Sequence, residues 1–140
     1  MKILIAMDSM KGSLSSREAG EAVEAGIRRV WPDAGIRICL LADGGEGTAE
    51  TLTTAMRGRR QQVTVTGPLG EPVACGYGIS QEGQHRTAVM EMAAAAGLPL
   101  VPKEERTPLR TTTRGVGEMI RDAVERGCTE LIIGIGGSAT

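Results

Sequence analysis

A carboxylate, an ammonium and a hydroxyl follow one another closely in Asp8-Ser9-Met10-Lys11-Gly12-Ser13. An acid and a cation beside the amino end of a helix suit a phosphate and its metal ion. A second carboxylate, Asp43, opens Asp43-Gly44-Gly45-Glu46-Gly47-Thr48, where three glycines would let a ligand approach the backbone closely. The third such stretch is Gly134-Ile135-Gly136-Gly137-Ser138-Ala139-Thr140. Arg110, with Thr111, Thr112 and Thr113, adds candidate anion donors. Each group also has a plainer reading: a polar loop with a good N-cap, a glycine-rich turn, capping threonines facing solvent. The Asp43 stretch is neither a P-loop nor a dinucleotide fingerprint.

These residues need elements to hold them. Ile3 to Met7 is an uninterrupted apolar run, which predicts a strand buried in a parallel sheet. Ser15 and Glu18 have the S-x-x-E spacing of a capping box, opening an amphipathic helix from Ser16 to Val30. Asp8, Lys11 and Ser13 therefore fall between the carboxyl end of a strand and the amino end of a helix, where open α/β sheets place ligands. Gly35 to Leu41 alternates as a second strand, so Asp43 repeats the position of Asp8 before another helix. Strands in succession then replace this pattern: Arg60 to Thr66, Val73 to Ile79 and Thr87 to Met92, with a turn at Gly67–Pro72 and a polar loop from Ser80 to Arg86. A short helical turn over 93–97, a surface loop over 98–110, a helix ending at Gly127 and an apolar strand from Glu130 to Ile135 complete the chain. The fold expected is α/β: a Rossmann-like, largely parallel sheet with helices over residues 1–66, passing at 67–140 into a second, incomplete α/β domain with a mixed sheet. Asp8, Asp43 and Ser138 are expected on one sheet edge, each directly after an apolar strand. A buried-type strand entering a glycine-rich loop calls for a following helix, so the chain reads as truncated.

Composition narrows the function. Among 140 residues, the 16 basic and 17 acidic ones nearly cancel, and no basic run offers a nucleic-acid or membrane footprint. Trp31 and Tyr77 are the only aromatics, so a stacking platform for single-stranded nucleic acid is missing. No apolar segment reaches membrane-spanning length and no signal-peptide order opens the chain. Cys39, Cys75 and Cys128 are odd in number, widely spaced and in apolar contexts, which predicts reduced, buried thiols in a cytoplasmic protein. His85, among polar neighbours, is expected in an exposed loop.

Taken together, the three glycine-rich stretches resemble the signatures of the bacterial glycerate kinase family. The connecting text is similar as well: Val65-Thr66-Gly67-Pro68-Leu69-Gly70, Glu91-Met92-Ala93, Gly97-Leu98-Pro99-Leu100-Val101-Pro102, and Pro108-Leu109-Arg110-Thr111-Thr112-Thr113 with Gly115-Val116-Gly117. Family members usually carry Pro before the first Asp and Phe before the Lys, where this chain has Met7 and Met10. They also continue beyond Ser-Ala-Thr with an Asn-Asp-Gly-Gly stretch and a long carboxyl-terminal part. The resemblance implies two α/β domains and ATP-dependent phosphorylation of D-glycerate, with 2-phosphoglycerate the favoured product. It implies ATP and Mg²⁺ as cofactors, and ATP and D-glycerate as small-molecule partners. On that basis Asp8, Lys11 and Asp43 are the candidate catalytic residues. Lys11 would clamp an anion; Asp8 and Asp43 would hold Mg²⁺ or accept the hydroxyl proton. Ser9, Gly12, Ser13, Gly44, Gly45, Gly47, Thr48, Arg110, Gly136, Gly137 and Ser138 are the candidates for substrate and phosphate. The alternative is a non-catalytic nucleotide- or small-anion-binding remnant.

Overall fold

The computed structural model describes residues 1–10 and 12–140; Lys11 lies outside the described residues. The chain divides into two compact units, Met1–Asp43 and Gly44–Thr140.

In the first unit, strand β1 (Lys2–Met7) pairs in parallel with β2 (Gly35–Leu40), from Lys2↔Gly35 to Met7↔Leu40. Helix α1 (Ser16–Val30) connects them. Its start is the expected capping box: the Ser15 hydroxyl accepts from the Glu18 N–H at 3.2 Å, and the Glu18 carboxylate accepts from the Ser15 N–H at 2.8 Å. Gly20 lets α1 come close to the strands, since a Cβ there would stand 2.8 Å from the Ile38 side chain. One helix covers one face. Ile5 is buried, whereas Leu4 keeps 63% of its surface exposed, so β1 is not the doubly buried strand its composition predicts. Cys39, expected to be buried, is exposed on β2.

The second unit begins with helix α2 (Thr48–Ala55), followed by strands β3 (Arg59–Thr66), β4 (Pro72–Glu82) and β5 (His85–Glu91). Helix α3 (Met92–Ala96), two short 3₁₀ turns, helix α4 (Arg114–Glu125) and strand β6 (Glu130–Gly134) follow. The sheet runs β3-β4-β5-β6, antiparallel except for the parallel β5–β6 pair, and is the expected mixed sheet. The division between units falls at Asp43–Gly44 rather than between Thr66 and Gly67, because β3 pairs along its whole length with β4. The polar stretch expected to loop over 80–86 is a hairpin tip. Ser80↔Thr87, Gln81↔Arg86 and Glu82↔His85 continue the ladder, and Gly83 turns it at φ 60°. Ladder bonds use backbone groups, which polar side chains leave available. His85 is exposed as expected, though on a strand, with Nδ1 at 3.1 Å from Glu130.

The core of this unit packs Val65, Tyr77, Met90, Val116, Met119 and Ala123 between sheet and helices, with the Cys75 and Cys128 thiols buried beside them. With no phenylalanine in the chain, the one tyrosine carries most of the buried aromatic surface, at 1% exposure. Its hydroxyl donates to Asp122 at 2.7 Å, and Arg126 closes on the same carboxylate at 2.8 Å. Burial, reinforced by the Asp122 carboxylate, pushes the Tyr77 phenol up, so it is always the donor here. On the neighbouring turn of α4, Glu118 accepts from the Thr66 N–H at 2.7 Å and the Thr66 hydroxyl at 3.0 Å, fastening the helix to the end of β3.

Two substitutions test these ties. Tyr77→Phe keeps the packing and removes the bond to a charged acceptor, so it should cost about 1–2 kcal/mol in urea unfolding. An unchanged midpoint would mean the phenol contributes only its ring. The Thr66 donors hold the Glu118 carboxyl below its usual range. The stability Glu118 adds is therefore complete above the unfolded-state pKa and lost as pH falls through its lowered folded value. Glu118→Gln should flatten the loss of stability on acidification below about pH 4. An acid limb as steep as the parent's would exclude Glu118 from it.

Candidate functional site

The first strand exit is built inside unit one. Asp8 follows β1 half-buried, and its Oδ1 accepts the Ser9 N–H at 2.7 Å. Met10 and Leu14 close a tight loop: Met10 N–H donates to Leu14 O at 2.8 Å, and Ser13 N–H to Met10 O at 2.8 Å. Gly12 takes φ 77° in that turn, a conformation that favours glycine. Ser16, which the sequence marks only as a helix start, ties this exit to the next one. Its hydroxyl donates to Met7 O at 2.6 Å and accepts the Leu41 N–H at 3.2 Å. One side chain thus joins the ends of β1 and β2, leaving Asp8 and Asp43 on the same edge of one parallel pair. Ser138 does not join them there: it follows β6 in the other sheet, because the chain forms two sheets rather than one.

The second and third glycine-rich stretches meet inside unit two. Gly44 and Gly47 take φ 93° and 91°, turning the chain into α2. Gly136 N–H donates to Gly44 O at 2.9 Å. A Cβ on Gly134 would stand 2.5 Å from Gly44 O, and one on Gly136 3.0 Å from Gly45 Cα, so the backbones touch where side chains are absent. The other side of the 134–140 turn rests on the segment after α3. Leu98 N–H donates to Gly137 O at 3.0 Å, and Ala139 N–H to Ala96 O at 2.8 Å. The Ser138 and Thr140 hydroxyls lie 2.8 Å apart. Thr111 reaches the same turn, its hydroxyl donating to Ala139 O at 2.9 Å. Thr112 caps α4 by accepting the Arg114 N–H at 3.1 Å, while Thr113, at the cap position, makes no side-chain cap bond. Arg110 sits exposed in the preceding turn.

Sequence reasoning passed over Glu91. This carboxylate ends β5, is 8% exposed, and reaches across to α2. Its Oε1 accepts the Gly47 N–H at 3.2 Å and its Oε2 the Ala49 N–H at 2.8 Å. Two signals were available: an acid near the end of an apolar strand, and its place in Glu91-Met92-Ala93, one of the stretches that carry the family resemblance. Two N–H groups expected to face phosphate, those of Gly47 and Gly136, thus already have partners within the protein. By contrast, the Thr48 hydroxyl, at the first position of α2, is buried with no hydrogen-bond partner among the described residues. A buried hydroxyl without a partner costs stability, and the fold carries that cost here.

The close approach predicts a contrast between two glycines of this unit. Gly134→Ala must push Gly44 away and should destabilise by about 1–3 kcal/mol. Gly117→Ala on α4 meets nothing within 4 Å and should stabilise by about 1 kcal/mol through helix propensity. Urea midpoints of equal size and sign would refute the backbone contact.

Comparison with known proteins bears on this arrangement. A profile described as "Glycerate kinase family" matches residues 3–140. A glycerate kinase of Bacillus subtilis (strain 168) is 57% identical over 140 residues, covering 100% of this chain and 36% of the relative. A glycerate 2-kinase of Escherichia coli (strain K12) is 55% identical, again over 100% of this chain and 36% of its own length. A crystal structure described as glycerate kinase 2 of Salmonella typhimurium LT2 superposes with TM-score 0.73 at 54% identity, covering 99% of this chain and 36% of that one. The chain thus spans about a third of the length of the relatives it matches.

Proposed function

The chain belongs to the glycerate kinase family, and from that premise we propose that it supplies part of the site of an ATP-dependent kinase acting on D-glycerate. The observation that carries the reading is the match of residues 3–140 to the family, which takes in all three glycine-rich strand exits. The product favoured is 2-phosphoglycerate, in line with the Escherichia coli relative described as a glycerate 2-kinase.

In such a transfer a glycerate hydroxyl oxygen attacks the terminal phosphorus of ATP, the bond to the bridging oxygen breaks, ADP departs, and the hydroxyl proton passes to a base. Little covalent chemistry falls to the protein; alignment and charge neutralisation carry most of the rate. Lys11 is assigned the anion clamp, on a phosphate or on the glycerate carboxylate. Asp8 and Asp43, at the ends of two adjacent parallel strands, are the residues that would hold Mg²⁺, or one of them the hydroxyl proton. Their chemistry fits the ion, because Mg²⁺ usually takes one or two carboxylates and completes its shell with water and substrate phosphates. Bound Mg²⁺ would neutralise charge on the phosphates being separated. Ser9, Gly12, Ser13, Gly44, Gly45, Gly137, Ser138 and Arg110 stay as candidates for contacts to glycerate or nucleotide. The Thr48 hydroxyl is the candidate for which the fold itself supplies no other partner among the described residues.

The test is an exchange of segments. This chain would replace the matching segment of the Bacillus subtilis enzyme, with ADP release measured against D-glycerate and Mg-ATP. Turnover is expected from the chimera and none from residues 1–140 alone, which span only 36% of that relative. Lys11→Ala in the chimera should lower kcat/KM by about a hundredfold or more, and Lys11→Arg should restore it only in part, since a planar fork is not a point charge. An inert chimera beside an active parent would favour a binding remnant. Comparable turnover by the isolated chain would show that the site is complete without the rest. Near-normal turnover in Lys11→Ala would remove Lys11 from the site.

A further inference from the structure

We propose that Glu91 is a positioning residue: it holds the Gly44–Thr48 turn in its working shape by filling the amino end of α2 with a carboxylate from the protein itself. The proposal rests on the kinase reading for what the turn is used for, and on geometry alone for what Glu91 does to it.

A glycine turn is the least self-determined piece of backbone a protein can use. Gly44 and Gly47 sit at positive φ, and each glycine has more conformational freedom to lose than any other residue. Something outside the turn must select one conformation. Gly136 N–H on Gly44 O fastens its first residue. Glu91 fastens its last, with one carboxylate oxygen on each of Gly47 N–H and Ala49 N–H. The two N–H groups lie either side of Thr48, so the position of the unpartnered Thr48 hydroxyl is set by the same pair of bonds. Gly47, at the helix N-cap, has no side chain to cap α2, and no side-chain cap bond forms there. The cap comes instead from a strand 42 residues further along the chain, counted from Ala49 to Glu91. Hydrogen bonds from N–H groups to a buried carboxylate are of the strong, charge-assisted kind, and the negative charge suits the helix dipole.

Glu91 also decides which ligand chemistry the α2 end can serve. With a carboxylate already on two of its N–H groups, that end is not an open phosphate cradle. A phosphate of the substrate would have to displace Glu91 or bind elsewhere.

The experiment has two arms. In the chain itself, amide hydrogen exchange is followed at Gly47 and Ala49, with Val89 and Met90 of β5 as controls. Both site amides should be protected in the parent. Glu91→Gln keeps one acceptor oxygen of two, so exchange at one site amide should rise about tenfold or more. Glu91→Ala should release both while the β5 controls stay protected. In the chimeric enzyme, Glu91→Gln should raise KM for one substrate by about tenfold with kcat nearly unchanged, and Glu91→Ala should raise it further. A purely structural loss would act the other way: a smaller folded fraction lowers apparent kcat and leaves KM where it was. Solvent-like exchange of Gly47 and Ala49 in the parent would overturn the proposal without any variant. Unchanged exchange at both amides in Glu91→Ala, or an unchanged KM beside released amides, would overturn it too. If the unsubstituted chimera is inert the kinase reading fails, and exchange at Gly47 and Ala49 alone decides whether Glu91 holds the turn.

Discussion

A backbone can press its Cα onto another backbone's carbonyl, as Gly134 does on Gly44, only where no Cβ stands between them. In the second unit Gly134 and Gly136 meet Gly44 and Gly45 in that way, with room for no Cβ on Gly134. The unit is arranged about this contact. It sets α2 beside the end of β6, where a Cβ on Gly134 would stand 3.4 Å from the Thr48 Cβ. The 134–140 turn is pressed on its other side against the end of α3 by Leu98 N–H and Ala139 N–H. Glycine is often read in a sequence as flexibility. Here it has the opposite consequence, because close backbone packing and added hydrogen bonds remove the freedom glycine brings.

Flexible turns held this closely need acceptors, and the chain draws them from its carboxylates. Glu18 caps α1, Glu91 caps α2 from a distant strand, Glu118 takes the amide and hydroxyl of Thr66, and Asp122 takes the Tyr77 phenol. Hydrogen bonds from these donors hold the carboxyls of Glu18 and Glu118 below their usual range. Arg126 does the same, first of all, for Asp122. Such acids are committed to the fold. Asp8 differs in kind: its Oδ1 accepts the amide of its own neighbour Ser9, at 2.7 Å, a bond that shapes a loop without joining two elements.

What could be read from the sequence followed from short-range physics. The Ser15–Glu18 box, the stop at Gly127 and the strand preceding each glycine-rich exit all depend on residues a few places apart, and all are present. The misreadings share a cause in distance. The partner of β3 decides where one unit gives way to the next, and the Arg60–Thr66 segment does not state it. A hairpin can carry polar residues to its tip, as Ser80–Arg86 does, because the ladder is made of backbone. Burial of β1 and Cys39 depends on how many layers cover the sheet, which no alternation pattern encodes. Of the site, the strand-exit positions of Asp8 and Asp43 were legible, while Ser16 and Glu91 were not. A serine after an N-cap and an acid after a strand are both ordinary until a partner tens of residues away is known.

The same distance dependence bears on how phosphoryl-transfer sites are assembled. Their catalytic demand is placement, to within a fraction of an ångström, of groups that are chemically commonplace. In such sites the groups that touch substrate are recognisable by type. Those that fix the placement are recognisable only by what they bridge. Ser16 joins two strand ends through one hydroxyl, and Glu91 joins a strand to a helix through two carboxylate oxygens. Neither has to meet a ligand to matter. A positive φ at Gly47 gives the turn its shape only if Gly47 N–H has somewhere to point, and Glu91 is where it points.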